Sequence, residues 1–319
     1  MHAAAIQTTA GDDRDANLAA AGVLVAEAAA DGAELVVLPE YFSVAGSPDV
    51  LRAGAEPLDG PTVTWASGVA ARYGIHLVAG SFPEVARGHD GRLSNTSCLL
   101  GPDGALLATY RKIHLFDVAL RGVAFRESDT IAPGDETCLV PLDGSGAGGG
   151  RGGGGPRAET GAVAGPETGP ETPARTGPDA VPVLGMTLCY DIRFPELYRM
   201  LALGGATVVC VPAAFTASTG PAHWELLLRA RAVEDQVFVI GAGQVGELPA
   251  GMPRGHGHSM IIDPWGDVLA ERTDPTPGVV AADLDLAALA DVRARLPVLA
   301  NRQPGAYRGL HADDRGTTN

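Results

Sequence analysis

Glu40, Lys112 and Cys189 are a carboxylate, an ammonium and a thiol, each at or just after the end of an apolar run and separated by 72 and 77 residues. Together they can run nucleophilic catalysis. A thiol of pKa about 8.5 is mostly protonated at pH 7 and needs a base, and a lysine offers charge to a developing oxyanion without holding a metal. Singly, each residue type has an ordinary use, since free cysteine is among the most buried residues and loop carboxylates and strand-end lysines are usually solvated. Their settings separate them from that background. Cys189 ends the stretch Val181-Pro-Val-Leu-Gly-Met-Thr-Leu188, which reads as strand, sharp turn and helix, with Pro195 suited to the first helical turn. A side chain at such a turn points out of the end of a sheet beside the N–H groups of a helix start, which favour a thiolate and an oxyanion alike. Glu40 sits in Pro39-Glu40-Tyr41-Phe42 after the strand Glu34 to Leu38, at the carboxyl end where open α/β sheets gather ligands. Lys112 lies in Tyr110-Arg-Lys112-Ile-His114-Leu-Phe-Asp117, which is heavily charged for the end of a strand.

The elements that must position these groups alternate along the chain. Ala3 to Gln7 reads as a strand, Asp12 to Ala30 as a helix with Leu18, Gly22, Val25 and Ala29 on one face, and Thr62 to Tyr73 as a second helix before the strand Ile75 to Gly80. Ser94 to Leu100 and Ala105 to Arg111 form a hairpin about Gly101-Pro-Asp-Gly104. Gly122 to Ser128 reads as a loop carrying Glu127, and Glu136 to Leu142 as a strand. From Asp143 to Asp179 the composition changes: 13 of 37 residues are Gly and five are Pro, with Val163 the one large aliphatic, so this insertion is expected to be disordered. It falls in a loop rather than between domains, because folding resumes with the strand that delivers Cys189. Strands follow at Ala206 to Val211 and Val237 to Gly241, with a helix at Ala222 to Gln236 between them. Gly241-Ala-Gly243-Gln-Val-Gly246 matches the dinucleotide fingerprint but is rejected, since the segment after it is full of helix breakers and leaves a phosphate no helix end. His256 and His258 could share a face and bind metal, but without a third ligand nearby a structural role is preferred. Asp263-Pro-Trp-Gly266 makes a turn, Gly278 to Asp283 a strand and Leu284 to Leu296 a last helix before a polar tail at 308–319.

The whole chain sets bounds. Its 319 residues, 45% of them hydrophobic, supply ample core, and a net charge of −15 argues against nucleic acid or anionic membrane as partner and for a small molecule. No segment approaches the roughly 18 consecutive apolar residues of a spanning helix, and the N-terminus has neither a basic region nor a sustained apolar core, so the expected compartment is the cytoplasm. Four scattered cysteines are too few for a disulfide scaffold or a paired-cysteine zinc site.

Leu38-Pro-Glu40-Tyr-Phe, Tyr110-Arg-Lys112-Ile-His-Leu-Phe-Asp and Leu188-Cys189-Tyr-Asp-Ile-Arg-Phe-Pro-Glu, joined by Thr219-Gly-Pro-Ala-His-Trp-Glu-Leu, Gly257-His-Ser and Asp263-Pro-Trp-Gly, resemble the nitrilase, or carbon–nitrogen hydrolase, superfamily. The resemblance runs from Ala3 to Tyr307, departs from the family only in the glycine-rich insertion, and is strongest to the branch of omega-amidase and deaminated-glutathione amidase, whose Phe-Arg-Glu127-Ser loop also matches. It implies an α-β-β-α sandwich in a single domain over residues 1–307, usually dimerised. It further implies that Glu40 is the base, Cys189 the nucleophile, Lys112 and the Tyr190 N–H the oxyanion donors, and Glu127 the second glutamate that positions substrate and lysine. Arg193, four residues after the nucleophile and expected in the first part of the helix that begins at the turn, is a candidate for a remote substrate carboxylate or else for an ion pair with Glu196 or another carboxylate, and Thr216 is a second candidate contact. No cofactor and no metal are implied. The expected activity is hydrolysis of a small linear carboxylate-bearing amide to acid and ammonia through a cysteine thioester, by a homodimer or higher homo-oligomer. The alternatives are a nitrilase or an N-carbamoyl amide hydrolase, a silent binding scaffold of the same fold, and a Cys-His hydrolase using His258 or His114 as base.

Overall fold

The structure, a computed structural model, describes residues 1–85, 90–120, 123–143, 181–249 and 252–307. In chain order its strands are β1 His2–Gln7, β2 Leu35–Val37, β3 His76–Val78, β4 Phe82–Glu84, β5 Ser94–Leu100, β6 Leu106–Arg111, β7 Asp117–Leu120, β8 Val123–Arg126, β9 Cys138–Pro141, β10 Val183–Met186, β11 Val208–Ala213, β12 Phe238–Gly243, β13 Val245–Gly246, β14 Gly255–His256, β15 Met260–Ile262, β16 Val268–Glu271 and β17 Gly278–Asp283. The helices are α1 Arg14–Ala30, α2 Pro48–Ala53, α3 Pro61–Tyr73, α4 Pro195–Leu203, α5 Gly220–Asp235 and α6 Leu286–Arg295. Short side-chain signals fix their ends. Asp13 caps α1 by accepting from the Ala16 N–H, Asp285 caps α6, and Gly74 closes α3 in the left-handed conformation that costs glycine least.

Two sheets result. The first has the order β17-β1-β2-β3-β5-β4 with β6 on β5, parallel through β1, β2 and β3. The second has the order β16-β15-β12-β11-β10-β9, parallel through β10, β11 and β12. Alternation along each strand sorts the apolar residues by face. Leu35 and Val37 point inward with Val78 and Leu99 to meet Leu184 and Ile240 of the second sheet. Val36 points outward to Val25 of α1 and Ala66 of α3, and on the far side Val209 and Val239 pack under Leu201 of α4 and Trp224 of α5. The chain is therefore the expected α-β-β-α four-layer sandwich, in a single domain. Among the described residues no helix is long and apolar enough to cross a membrane.

Several expectations change in detail. The buried face of α1 is Leu18, Ala21, Val25 and Ala28, a small rotation from the expected stripe. The stretch Gly122 to Ser128, expected as a loop, contains β8, which pairs with β7 outside both sheets and runs into a 3-10 turn at Glu127–Asp129. Arg193 lies not in the helix after the nucleophile but at the end of a separate 3-10 turn, Cys189–Arg193, ahead of α4. Gly241 and Gly243 lie inside β12 and Gly246 in β13, so the fingerprint glycines are strand residues. The glycine-rich residues 144–180 and the tail from 308 lie outside the described residues. Their flanks are described: β9 and β10 are antiparallel neighbours, and the Leu142 N–H donates to the Pro182 carbonyl at 2.7 Å.

Candidate active site

Glu40 follows β2 at the carboxyl end of the parallel strands. The turn that carries it is tight: Tyr41 has φ +53°, and Gly80 after β3 passes so close that a Cβ there would collide with the Pro39 carbonyl. Lys112 follows β6, where alternation separates the charges. Tyr110 and Lys112 face the second sheet, while Arg111 turns away to chelate Glu84 through two bonds of 2.8 Å. Cys189 comes from the second sheet, after β10. Its turn is pinned by Asp191, whose carboxylate accepts from the Leu188 N–H at 2.8 Å, the Tyr110 hydroxyl at 2.6 Å and the His114 N–H at 3.1 Å. The price is a left-handed Cys189 backbone with φ +43°, the kind of local strain that a surrounding network must hold in place.

These three side chains converge and are buried, together with Glu127. Lys112 Nζ donates to Glu40 Oε1 at 2.8 Å and to Glu127 Oε2 at 2.9 Å. Glu40 also accepts from the Ala214 N–H at 2.9 Å, and its backbone carbonyl accepts from Gln244 Nε2 at 3.0 Å, so the second sheet grips a residue of the first. Glu127 accepts from the Phe116 N–H at 2.7 Å and the Tyr41 hydroxyl at 3.2 Å. Burial alone would discharge Lys112, but Glu127 and then Glu40 outweigh it and hold the ammonium charged well above its usual range. Burial, followed by the Glu40 carboxylate, pushes the Cys189 thiol well above its ordinary value, against the pull of Lys112 and the Ala214 N–H. The resting thiol is thus protonated, with a carboxylate beside it. Burial and Glu127 likewise keep the Tyr41 phenol protonated as a donor.

Above this cluster opens a cavity of about 360 Å³, in the range that encloses small organic ligands. Glu40, Lys112, Glu127 and Cys189 reach it, and Tyr190, Arg193 and Thr216 line it as well, so all seven candidates meet at one place. Arg193 has no carboxylate partner among the described residues. Its two terminal nitrogens lie 3.3 and 3.4 Å from His223 Nδ1, and its guanidinium lies over the Phe215 and Tyr190 rings at 5.2 and 5.8 Å. The alternative, an ion pair with Glu196, is not formed. Thr216 Oγ1 bonds the Thr219 hydroxyl at 2.8 Å. Neither His114 nor His258 lines the cavity: the His114 ring is engaged by Asp191 at 2.7 Å and His258 by Glu271 at 2.7 Å. His256 and His258 do stack, at 4.5 Å, but among the described residues no group of three metal-capable side chains forms around them.

Sequence reasoning missed Asn95, Tyr41, Asp191 and the Ala214 N–H. The last is a backbone group and leaves no signal. Asn95 had one, since Ser94-Asn-Thr-Ser97 is an unbroken polar run in a segment that reads as a strand, and the structure buries all four.

Comparison with known proteins finds a family and relatives that span nearly the whole chain. The sequence pattern of the carbon–nitrogen hydrolase family matches residues 2–294. An omega-amidase of Danio rerio is 37% identical over 292 residues, spanning 91% of this chain and 90% of that protein. A deaminated glutathione amidase of Synechocystis sp. is 36% identical over 301 residues, spanning 94% of this chain and 97% of that one. The crystal structure of Saccharomyces cerevisiae Nit3, a member of branch 10 of the nitrilase superfamily, superposes with a TM-score of 0.72 at 28% identity, over 95% of this chain and 96% of that one.

Proposed function

The chain belongs to the carbon–nitrogen hydrolase family, and we propose that it is an amidase that hydrolyses a small linear carboxylate-bearing amide to acid and ammonia through a thioester on Cys189. The observation that carries this reading is the buried cluster of Glu40, Lys112 and Glu127 beside a protonated Cys189 at the floor of the cavity. Glu40 takes the thiol proton and the thiolate attacks the amide carbon. The carbonyl oxygen gathers charge between the Lys112 ammonium and the Tyr190 N–H. Glu40 returns its proton to the leaving nitrogen, ammonia departs, and the same carboxylate deprotonates the water that opens the thioester and restores the thiol. Glu127 holds the lysine in place. Arg193 and Thr216 receive the far carboxylate of the substrate: a guanidinium without a carboxylate of its own, lining a cavity, suits that role.

The test is an ammonia-release screen over ω-amides, carbamoyl compounds and nitriles, with and without Arg193→Lys. Carboxylate-bearing ω-amides should be the fastest substrates. The lysine variant should lose about 1–3 kcal/mol of transition-state binding on them and much less on neutral amides of equal length. Equal losses on both would make Arg193 structural, and faster release from nitriles or carbamoyl compounds would move the protein to another branch of the family. We also propose a homodimer or higher homo-oligomer, for which the exposed side chains of Leu226 and Val233 on α5 and of Met200 on α4 offer apolar surface. Light scattering of the purified chain would decide that point.

A further inference from the structure

Asn95 lies fully buried in β5 and does not reach the cavity. Its side-chain Nδ2 nevertheless donates to both glutamates of the site, to Glu40 Oε1 at 2.9 Å and to Glu127 Oε1 at 3.3 Å. Its backbone carbonyl accepts from the Lys112 N–H at 3.0 Å. One residue therefore holds the main chain of the lysine and both carboxylates that share its ammonium. The amide can take only this orientation, because turning it over would aim its oxygen at two carboxylates. In this orientation the buried Oδ1 has no hydrogen-bond partner among the described residues. Such an unmade bond is rare in a buried side chain and asks for a reason.

The charges supply one. Lys112, after β6, faces both Glu40 and Glu127, Tyr41 faces Glu127 from its own turn, and Cys189 faces Glu40 from the second sheet. Two carboxylates that share a site tend to keep a proton between them, and a glutamate already holding a proton cannot take one from a thiol. A single ammonium has to serve both. A neutral donor between the two stabilises both as anions without adding a charge that would compete with the oxyanion for Lys112.

We propose that Asn95 is a positioning residue that keeps Glu40 ionised and aimed, so that the proton of Cys189 has somewhere to go. It neither gives nor takes a proton: that proton passes from Sγ to Glu40 and on to the leaving nitrogen. The proposal rests on the hydrolytic reading above. It is tested with Asn95→Asp, which keeps the shape but replaces the donor with a third carboxylate, and Asn95→Ser, which keeps a hydroxyl too short to bridge the pair. Turnover is measured against pH on an amide the parent protein hydrolyses, and the alkylation of Cys189 by iodoacetamide is followed against pH by mass spectrometry of its peptide.

Asn95→Asp should lower kcat by at least ~10²-fold with KM changed little. Asn95→Ser should move the acid limb of kcat/KM and the alkylation profile together to higher pH by about one pH unit. Unmoved profiles in both variants, with kcat near that of the parent, would overturn the assignment. A parent protein that hydrolyses none of the amides would instead defeat the hydrolytic reading, and the alkylation profiles would still decide the role of Asn95.

Discussion

Cys189→Ala, Glu40→Gln and Lys112→Ala should each lower amide turnover by at least ~10²-fold while circular dichroism stays that of the parent, because nucleophile, base and oxyanion donor act as one unit. For the same reason the double variants should lose little more than the singles, and near-parental turnover in Lys112→Ala would remove the oxyanion role. Glu40, Lys112, Cys189 and Glu127 were legible in the sequence because each stands in a motif of distinctive neighbours. What surrounds them was not. The Ala214 N–H and the Gln244 amide reach Glu40 across the gap between two sheets, and no spacing in one dimension encodes a contact between residues more than 170 positions apart. Arg193 was legible as a choice between two partners. The structure removes the one with Glu196 and leaves the guanidinium on the cavity wall over two aromatic rings.

At the scale of elements, the long helices and most strands, β5 and β17 to the residue, stood where the sequence put them, while α2 and the β7–β8 ladder did not declare themselves. The helix α2 has six residues and the ladder of β7 and β8 four in each strand, too few to show a period, and their shape is set by what they pack against. The turn after β10 was legible as a sharp bend. Its 3-10 geometry was not, because it depends on Asp191 meeting Tyr110 and His114 from a different sheet. The insertion allows a prediction at this scale. Its flanks are already joined as antiparallel neighbours, so replacing Gly144 to Pro178 by a short turn should change stability by only about a kilocalorie per mole, since loop closure entropy grows slowly with length. Turnover should persist. Urea denaturation of the shortened chain checks the first statement, and loss of folded protein would show that the segment carries part of the structure.

For the molecule as a whole, one buried charge should mark its pH response. Asp235 ends α5, 1% exposed, and burial lifts its carboxyl from 3.8 to about 6 although Arg199 Nε stands 3.1 Å away. The folded state therefore holds this proton more tightly than the unfolded chain. The stability it lends is complete below about pH 4, falls as pH rises through 6, and is absent above, a swing of at most roughly 3 kcal/mol. Asp235→Asn should flatten the melting temperature between pH 4 and 7 and raise it at pH 8, and a parallel curve for the two proteins would show that the carboxyl titrates normally. The seam between β9 and β10 has a different consequence. Each side of it lends a strand to the other's sheet, β9 to the second and β17 to the first, and the carboxylates and the lysine lie on one side while the cysteine lies on the other. Expressed as two polypeptides, 1–143 and 181–319, the protein becomes an AND gate: each piece alone should release no ammonia, and mixing them should restore release with a dependence on the concentration of both.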